Sequence, residues 1–586
     1  MLELVGISHQ IARKKQEPLV ILNQVGFTAP AGHLMAVLGP TLSGKTTLIK
    51  ILAGQIKPYH GAMVWHGKDI AKNPIHPNEV GYVPQADDVL HDLLTVQENI
   101  VSAMLLRLAG QDKKEAVNRA AHIMVVTGLE MISSQRAGTL SMPQRRRLKL
   151  AVALVTNPTM VLCDEFTDGL DAKSERELAA LLQLVAADNP KRLVINATQN
   201  LSNLAAYNTV VLLNEGNVCF HGPARALPHY FTVKQMEEIY SRMARRPASR
   251  WGESWEKHRD TYYNAFKLGA DTDALAPASE EEDASKPKAP AGSADDTTDR
   301  AAGAGSGRSN GAPPAPALPS SISQVQHLLQ RRWTVFRRSK SDWLAHAVML
   351  FGFPLLAALC MWRSKGLFAN GGAGGGSAEA TAYAASMAVF LQVLLVIVMS
   401  VRNGAQEIAS GRAAFERERI GGLRTSAFVL GNLLYLAPLF IAQGAWMALF
   451  VDMMTGGLPG HGLVRLGLLM ATGAAFTIIC LAISANASSK DRANVWALQL
   501  ALAQVLLSGA LIALPNALGA VVHPLVTAYA GWSGSIDTIT TAGVIEAFDK
   551  LNGTWLATPA NAFAILGAHA GVGLGLLIWG VSRRRM

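Results

Sequence analysis

Only four cysteines occur in 586 residues, aromatics make up 6% of the chain and charged residues 16%. Cys163 and Cys219 fall in strand-like apolar runs, and Cys360 and Cys480 in longer apolar stretches, so there is neither a disulfide framework nor a metal-binding spacing. The opening Met1-Leu2-Glu3-Leu4 lacks the charged-then-apolar pattern of a secretory leader, and the expectation is a first domain that stays in the cytoplasm. Aspartate, glutamate and arginine are missing from the middle of the long apolar stretches, so a proton or ion relay finds no support. The net charge of +10 could suit a nucleic acid. Its basic residues, however, cluster beside apolar stretches rather than among exposed aromatics, which points to a membrane and away from a nucleic-acid partner.

Charge is scarce because the two halves differ. Residues 1–235 alternate short β-like runs with amphipathic helical stretches, the pattern of an α/β domain. A helical extension is expected over 236–271. Residues 272–320, with Glu280-Glu281-Glu282 followed by Ala, Gly, Ser, Pro and Asp, have too little aliphatic bulk to offset the entropy of ordering, and read as a disordered linker. Over 321–341, Val325, Leu328, Leu329, Trp333 and Phe336 share one side of a basic amphipathic helix. It reads as an interfacial helix lying at the membrane surface before the first span, with packing on the soluble domain the lesser alternative. Within 342–586, six stretches approach the ~20 apolar residues that cross a bilayer: 343–362, 382–401, 426–451, 466–485, 494–514 and 557–581. The shorter 516–531, with Pro524, reads as an external or re-entrant piece. Gln392, Gln443, Gln499, Gln504 and Asn432 interrupt the spans and suit helix–helix hydrogen bonds. Arg402, Arg412, Arg417, Arg419 and Arg424 crowd one loop, Lys490 and Arg492 another, and Arg583, Arg584 and Arg585 the tail, which puts both termini in the cytoplasm.

The stretch Gly39-Pro40-Thr41-Leu42-Ser43-Gly44-Lys45-Thr46 fits the phosphate-loop pattern G-x-x-x-x-G-K-[ST]. Leu34 to Leu38 read as a buried strand entering it, and Thr47 to Leu52 as a helix leaving it. Glycines let the backbone N–H groups curl towards phosphates, and the helix N-terminus adds partial positive charge. Lys45 supplies a point charge for the β/γ-phosphates and Thr46 a hydroxyl for Mg²⁺. The expected ligand is ATP with Mg²⁺.

Further motifs follow in order: Gly81-Tyr82-Val83-Pro84-Gln85, Leu94-Thr95-Val96-Gln97-Glu98-Asn99, Leu140-Ser141-Met142-Pro143-Gln144, Met160-Val161-Leu162-Cys163-Asp164-Glu165, and Gly169-Leu170-Asp171. Together with the phosphate loop they resemble an ATP-binding cassette domain. The order of cassette and then six spans resembles the G-type half-transporters. Glu407-Ile408 with Phe415-Glu416-Arg417-Glu418-Arg419 is similar to that family's coupling segment after the second span, and Ser508-Gly509-Ala510 is a weaker match. The implied fold is an α/β P-loop NTPase cassette followed by an all-α six-helix membrane domain. The resemblance implies that Thr47 joins the phosphate loop and that Thr46, Gln85 and Asp164 serve Mg²⁺. It implies that Glu165 polarises the attacking water, that Gln199 takes the switch position, and that Ser141 and Gln144 reach nucleotide held by a partner subunit. It further implies ATP-driven export by a dimer, homodimeric or heterodimeric. The nearly uncharged membrane half points to a lipid or other lipophilic cargo, and the absence of cysteines from external loops with abundant Ala and Gly points to a bacterial inner membrane.

Three positions depart from the family's pattern. Met142 and Pro143 replace the two signature glycines, removing a backbone N–H and adding bulk, although proline suits the first turn of the next helix. Gln199 replaces the switch histidine; its amide can donate to a phosphate oxygen but carries no charge. The adenine-stacking aromatic is replaced by Ile11, with His9 an alternative. Phe166, after Glu165, reads as packing. These departures leave a second reading open, a subunit that binds ATP and hydrolyses it weakly or not at all.

Overall fold

The computed structural model describes residues 1–13, 16–70, 72–86, 89–266, 317–362, 378–458, 460–539, 546–548 and 555–583. The expected linker lies outside the described residues except for 317–320, and so do 267–271, Lys550, Arg584 and Arg585. The chain forms two compact units, Met1–Gly81 with Asn157–Ala317, and Tyr82–Thr156 with Leu318–Met586.

The first unit is built on two sheets. Its strands are β1 (Leu2–Arg13), β2 (Gln16–Ala29), β3 (Leu34–Leu38), β4 (His60–Trp65), β5 (Lys68–Asp69), β6 (Val80–Val83), β7 (Met160–Asp164), β8 (Leu193–Thr198), β9 (Thr209–Asn214) and β10 (Asn217–Gly222). The antiparallel sheet runs β2-β1-β4-β5, and the second runs β10-β9-β3-β8-β7-β6, with β6 the edge strand at which the chain leaves this unit. The central strands are mainly apolar: β3, β7 and β8 are buried at every residue, as a sheet covered on both faces requires. Strand β3 lies parallel to both β8 and β9, and β8 parallel to β7, with Leu38 opposite Thr198 and Asp164 opposite Ala197. That register brings the phosphate loop, the Asp164-Glu165 pair and the Gln199 turn to the same carboxyl edge, where open parallel sheets bind ligands. Helices Lys45–Leu52 and Ala172–Asp188 follow β3 and β7; Asp171 caps the latter through the Lys173 and Ser174 N–H groups. The expected extension contains helices Glu238–Met243 and Ala248–Phe266. Trp255 of the second packs its ring 5.2 Å from Phe220 of β10.

In the second unit, residues 82–156, which the sequence places inside a 1–235 domain, pack with the segments after Leu318. Helix Val96–Arg107 is closed by a capping box between Thr95 and Glu98. Its Leu106 shares a core with Val325 and Leu328 of helix Ser321–Arg338, Phe415 of helix Arg412–Ile420 and Phe428 and Leu436 of the helix after it. The amphipathic helix thus covers its apolar side with protein. Arg338 forks onto Glu98 at 2.5 and 2.7 Å, and Gln324 donates to the carbonyls of Leu106 and Gly422.

Five helices among the described residues are long and apolar enough to cross a membrane: Lys340–Cys360, Ala378–Ser410, Thr425–Thr455, Gly462–Asn486 and Pro559–Ser582. The expected span 494–514 differs. Its helix runs Lys490–Leu506, 17 residues, and the chain then leaves the helix. Ser508 Oγ bonds the Val505 carbonyl at 2.8 Å, in competition with the ladder, and Gly509 adopts φ 78°, a left-handed conformation that ends an α-helix. The 516–531 piece divides at Pro524 into helices Asn516–Val522 and Thr527–Asp537, and Tyr529 and Trp532 of the second are fully buried. Close helix approach rests on small residues: a Cβ on Gly404 would stand 2.7 Å from the Thr477 carbonyl oxygen and 2.8 Å from Cys480 Cβ. Of the polar span residues, Gln443 accepts from Asn403 at 2.7 Å, Asn432 from Arg332 at 2.7 Å, and Gln504 from the Ala528 N–H at 3.2 Å. Gln392 is buried and Gln499 exposed.

Candidate nucleotide site

The phosphate loop spans the end of β3 and the start of helix Lys45–Leu52, and its glycines are needed where they stand. A Cβ on Gly39 would lie 2.4 Å from Ser43 Oγ and 2.5 Å from the Leu213 carbonyl oxygen. On Gly44, at φ 99°, it would lie 2.7 Å from Leu22 Cδ2. Lys45 is buried, and its Nζ donates to the carbonyls of Gly39 at 2.8 Å and Pro40 at 2.9 Å. Burial pulls its ammonium below the ordinary lysine value, while Glu165, Asp168 and Asp164 oppose the shift. Ser43 Oγ is buried with no hydrogen-bond partner, a polar atom left over inside the loop. Leu42 is 94% exposed at φ 66°, so it adds nothing to the core. Pro40 and Thr47 are half-buried, and Thr41 is exposed.

Thr46 Oγ1 donates to Asp164 Oδ1 at 3.0 Å. Burial pushes the Asp164 carboxyl up to about 6, and the Thr46 hydrogen bond opposes this. A buried carboxylate beside a hydroxyl at the start of the loop helix is an oxygen pair suited to Mg²⁺, and a cation there would offset the burial cost of the ionised acid. The residues present therefore fit Mg²⁺. Glu165 follows at φ 50° and its N–H donates to the Ala197 carbonyl at 2.9 Å, which ties the pair to the end of β8. Phe166 is fully buried.

Gln199 is the first residue beyond β8. Its Oε1 accepts from Thr41 Oγ1 at 3.2 Å, so the switch position touches the phosphate loop directly. Two residues that no motif singles out join it. Asp168 accepts from the Gln199 N–H at 2.9 Å and from the Thr198 hydroxyl. Tyr240, on helix Glu238–Met243, donates from its hydroxyl to the Gln199 carbonyl at 2.9 Å. Asn200 donates to Glu175 at 2.5 Å. Asp168 had a sequence signal, an acid three residues after Glu165; Tyr240 had none, since it lies beyond the last motif.

Gln85, Ser141 and Gln144 belong to the second unit. The Gln85 carbonyl accepts from Arg146 at 3.4 Å and Lys149 at 3.3 Å, and its side chain is exposed. Gln144 Oε1 accepts from the Ser141 N–H at 3.0 Å and caps helix Met142–Ala153, with Pro143 in the first turn as its residue type predicts. Met142 is 42% exposed at that helix start. Near the N-terminus, His9 is buried and so unavailable for stacking, whereas Ile11 is 45% exposed.

Comparison with known proteins adds independent support. Residues 22–168 match the ABC transporter family, and residues 323–522 match the ABC-2 type transporter family. An ABC transporter ATP-binding/permease protein of Mycobacterium tuberculosis is 25% identical over 84% of this chain and 52% of its own length. ABC transporter G family member 26 of Arabidopsis thaliana is 34% identical over 35% of this chain and 31% of its own length. The lipoprotein-releasing system ATP-binding protein LolD of Chromohalobacter salexigens is 30% identical over 37% of this chain and 92% of its own. The chain thus spans about half the length of the mycobacterial relative and about a third of the plant one. With the sheet edge, the phosphate loop and the apolar helices in place, this chain belongs to the ABC transporter family, as a multi-pass membrane protein that joins an ATP-binding cassette to an ABC-2 type membrane domain in the G-type, half-transporter order.

Proposed function

We propose that the protein is an ATP-driven transporter that exports a lipid or other lipophilic compound as a dimer of half-transporters, in a bacterial inner membrane with both termini cytoplasmic. The observation that carries the reading is the Thr46–Asp164 contact beside buried Lys45, with Glu165 next in the chain. Lys45 neutralises phosphate charge, and Thr46 and Asp164 would hold Mg²⁺, which supplies further charge neutralisation when bound. Glu165 orients and deprotonates the attacking water. Gln199 donates to a phosphate oxygen. The sparsely charged helices of the membrane half support a lipophilic cargo, and the arginine-rich loop after the second span supports the orientation.

The second reading, a subunit that binds ATP without brisk hydrolysis, rests on Met142, Pro143 and Gln199. Losing one preorganised contact to the transferring phosphoryl group costs ~10²–10³ in rate. Purified protein in lipid separates the two: the transporter reading expects hydrolysis well above that of Glu165→Gln. Equal rates, with and without candidate partner subunits, would leave the binding reading standing.

A further inference from the structure

The turn that carries Gln199 is held on three sides within the first unit. Asp168 takes its backbone N–H, Tyr240 takes its backbone carbonyl, and Thr41 of the phosphate loop takes its side-chain oxygen. An amide whose oxygen is already an acceptor presents its nitrogen as a donor, the polarity that an acceptor-only phosphate oxygen requires. A neutral amide also lacks the long-range attraction that a histidinium would exert, so its contribution depends on being in place before nucleotide arrives. A side chain left free would be ordered at the cost of binding energy.

We propose that Tyr240 is a positioning residue of the nucleotide site: its hydroxyl, bonded to the Gln199 carbonyl, holds the Gln199 amide beside Thr41, so that a neutral glutamine reads the terminal phosphate of ATP. The proposal rests on the assignment of Gly39–Thr46 as an ATP site. Tyr240 suits the task. Its ring is half-buried against this unit, and burial pushes its phenol well above the ordinary tyrosine value, opposed by a hydrogen bond from the Gly39 backbone. It therefore stays a protonated donor throughout the working pH range. Asp168 is 8% exposed and its carboxylate also accepts from Thr198, which fixes the other side of the same turn. The helix that bears Tyr240 is the first of the extension that follows the cassette.

The test uses full-length protein in lipid nanodiscs with Glu165→Gln, so that bound nucleotide is not consumed, and measures equilibrium affinity for ATP and for ADP in the presence of Mg²⁺. Tyr240→Phe removes one hydroxyl and is expected to lower the ATP-to-ADP affinity ratio about fivefold, the worth of one hydrogen bond, with ADP affinity unchanged. Gln199→Ala lowers the ratio at least as far, and the double substitution lowers it no further, because the two residues act in series. Amide hydrogen exchange at 199–203 in the nucleotide-free protein rises in Tyr240→Phe. An unchanged ratio in Tyr240→Phe overturns the proposal, as does an equal loss of ATP and ADP affinity or a ratio that falls additively in the double variant. If Lys45→Ala binds ATP as tightly as the unaltered loop, the ATP-site assignment fails instead, and the proposal falls with it.

Discussion

Glu418 faces Arg331 at 2.5 and 3.0 Å, His91 at 3.3 Å and Arg417 at 3.7 Å. Arg331, Arg417 and Glu418 are each less than a tenth exposed, and the Nε and Nη1 atoms of Arg417 have no hydrogen-bond partner. Arg331 and the hydrogen bond from His91 hold the Glu418 carboxyl well below its ordinary value despite the opposing effect of burial, so it is ionised. Glu418→Gln keeps the shape and removes the charge. Two buried guanidinium groups then lose their counter-ion, and at an effective dielectric near 20 each contact at about 4 Å is worth roughly 4 kcal/mol. Breaking a buried pair in this way costs about 3–5 kcal/mol, most of it the penalty of a buried unpaired cation. For a unit of this size the expected fall in unfolding temperature is on the order of 10 °C. Differential scanning calorimetry in nanodiscs measures it, with Glu98→Gln as the internal comparison. The Glu98–Arg338 pair is 37% and 30% exposed, and its loss should cost less than about 1 kcal/mol. Adding Arg331→Met to Glu418→Gln should recover part of the loss, since it removes one of the stranded cations. Equal shifts for Glu418→Gln and Glu98→Gln, or no recovery in the pair, would refute the reasoning.

Other outcomes follow from the same geometry. Lys45→Ala should abolish detectable nucleotide binding in a fluorescent-ATP titration. Met142→Gly with Pro143→Gly should raise ATP turnover by restoring a backbone N–H and removing bulk; an unchanged rate would show that the altered signature does not limit hydrolysis. Gly404→Val should destabilise the packing of Ala378–Gly404 on Gly462–Asn486 by about 1–3 kcal/mol, since the obstructing atoms include backbone, and reduced yield of folded protein in detergent would report it. His91 is lowered to about 4, chiefly by burial and then by Arg331, with Glu418 opposing and Arg417 adding to the fall. Its folded state therefore resists protonation that the unfolded chain accepts near 6.5. Stability from this group is complete above that pH and is lost as pH falls towards 4, by at most about 1.4 kcal/mol per pH unit. His91→Gln should flatten the dependence of unfolding temperature on pH between 6.5 and 5.

Spacing and residue type alone located the phosphate loop, the strand that enters it, the helix that leaves it and the Asp164-Glu165 pair at a strand end. Each of these is a local consequence of glycine conformational freedom, apolar runs and a fixed order along the chain. The apolar lengths likewise showed a membrane half. They did not show that the 494–514 stretch stops being helical at Leu506, because the decision belongs to one serine side chain and one left-handed glycine. Nor could they show that helix Val96–Arg107 packs with segments more than 200 residues later, since complementary charges such as Glu98 and Arg338 carry no mark of their partner. The nucleotide site divides in the same way. The sequence by itself determined which groups could hold a phosphate and a divalent cation, because that chemistry is written in consecutive residues. Only the tertiary structure decided how Gln199 is held, because parallel pairing of β3, β7 and β8 brings Thr41, Asp168 and the Gln199 turn together, and Tyr240 arrives from a helix with no motif of its own.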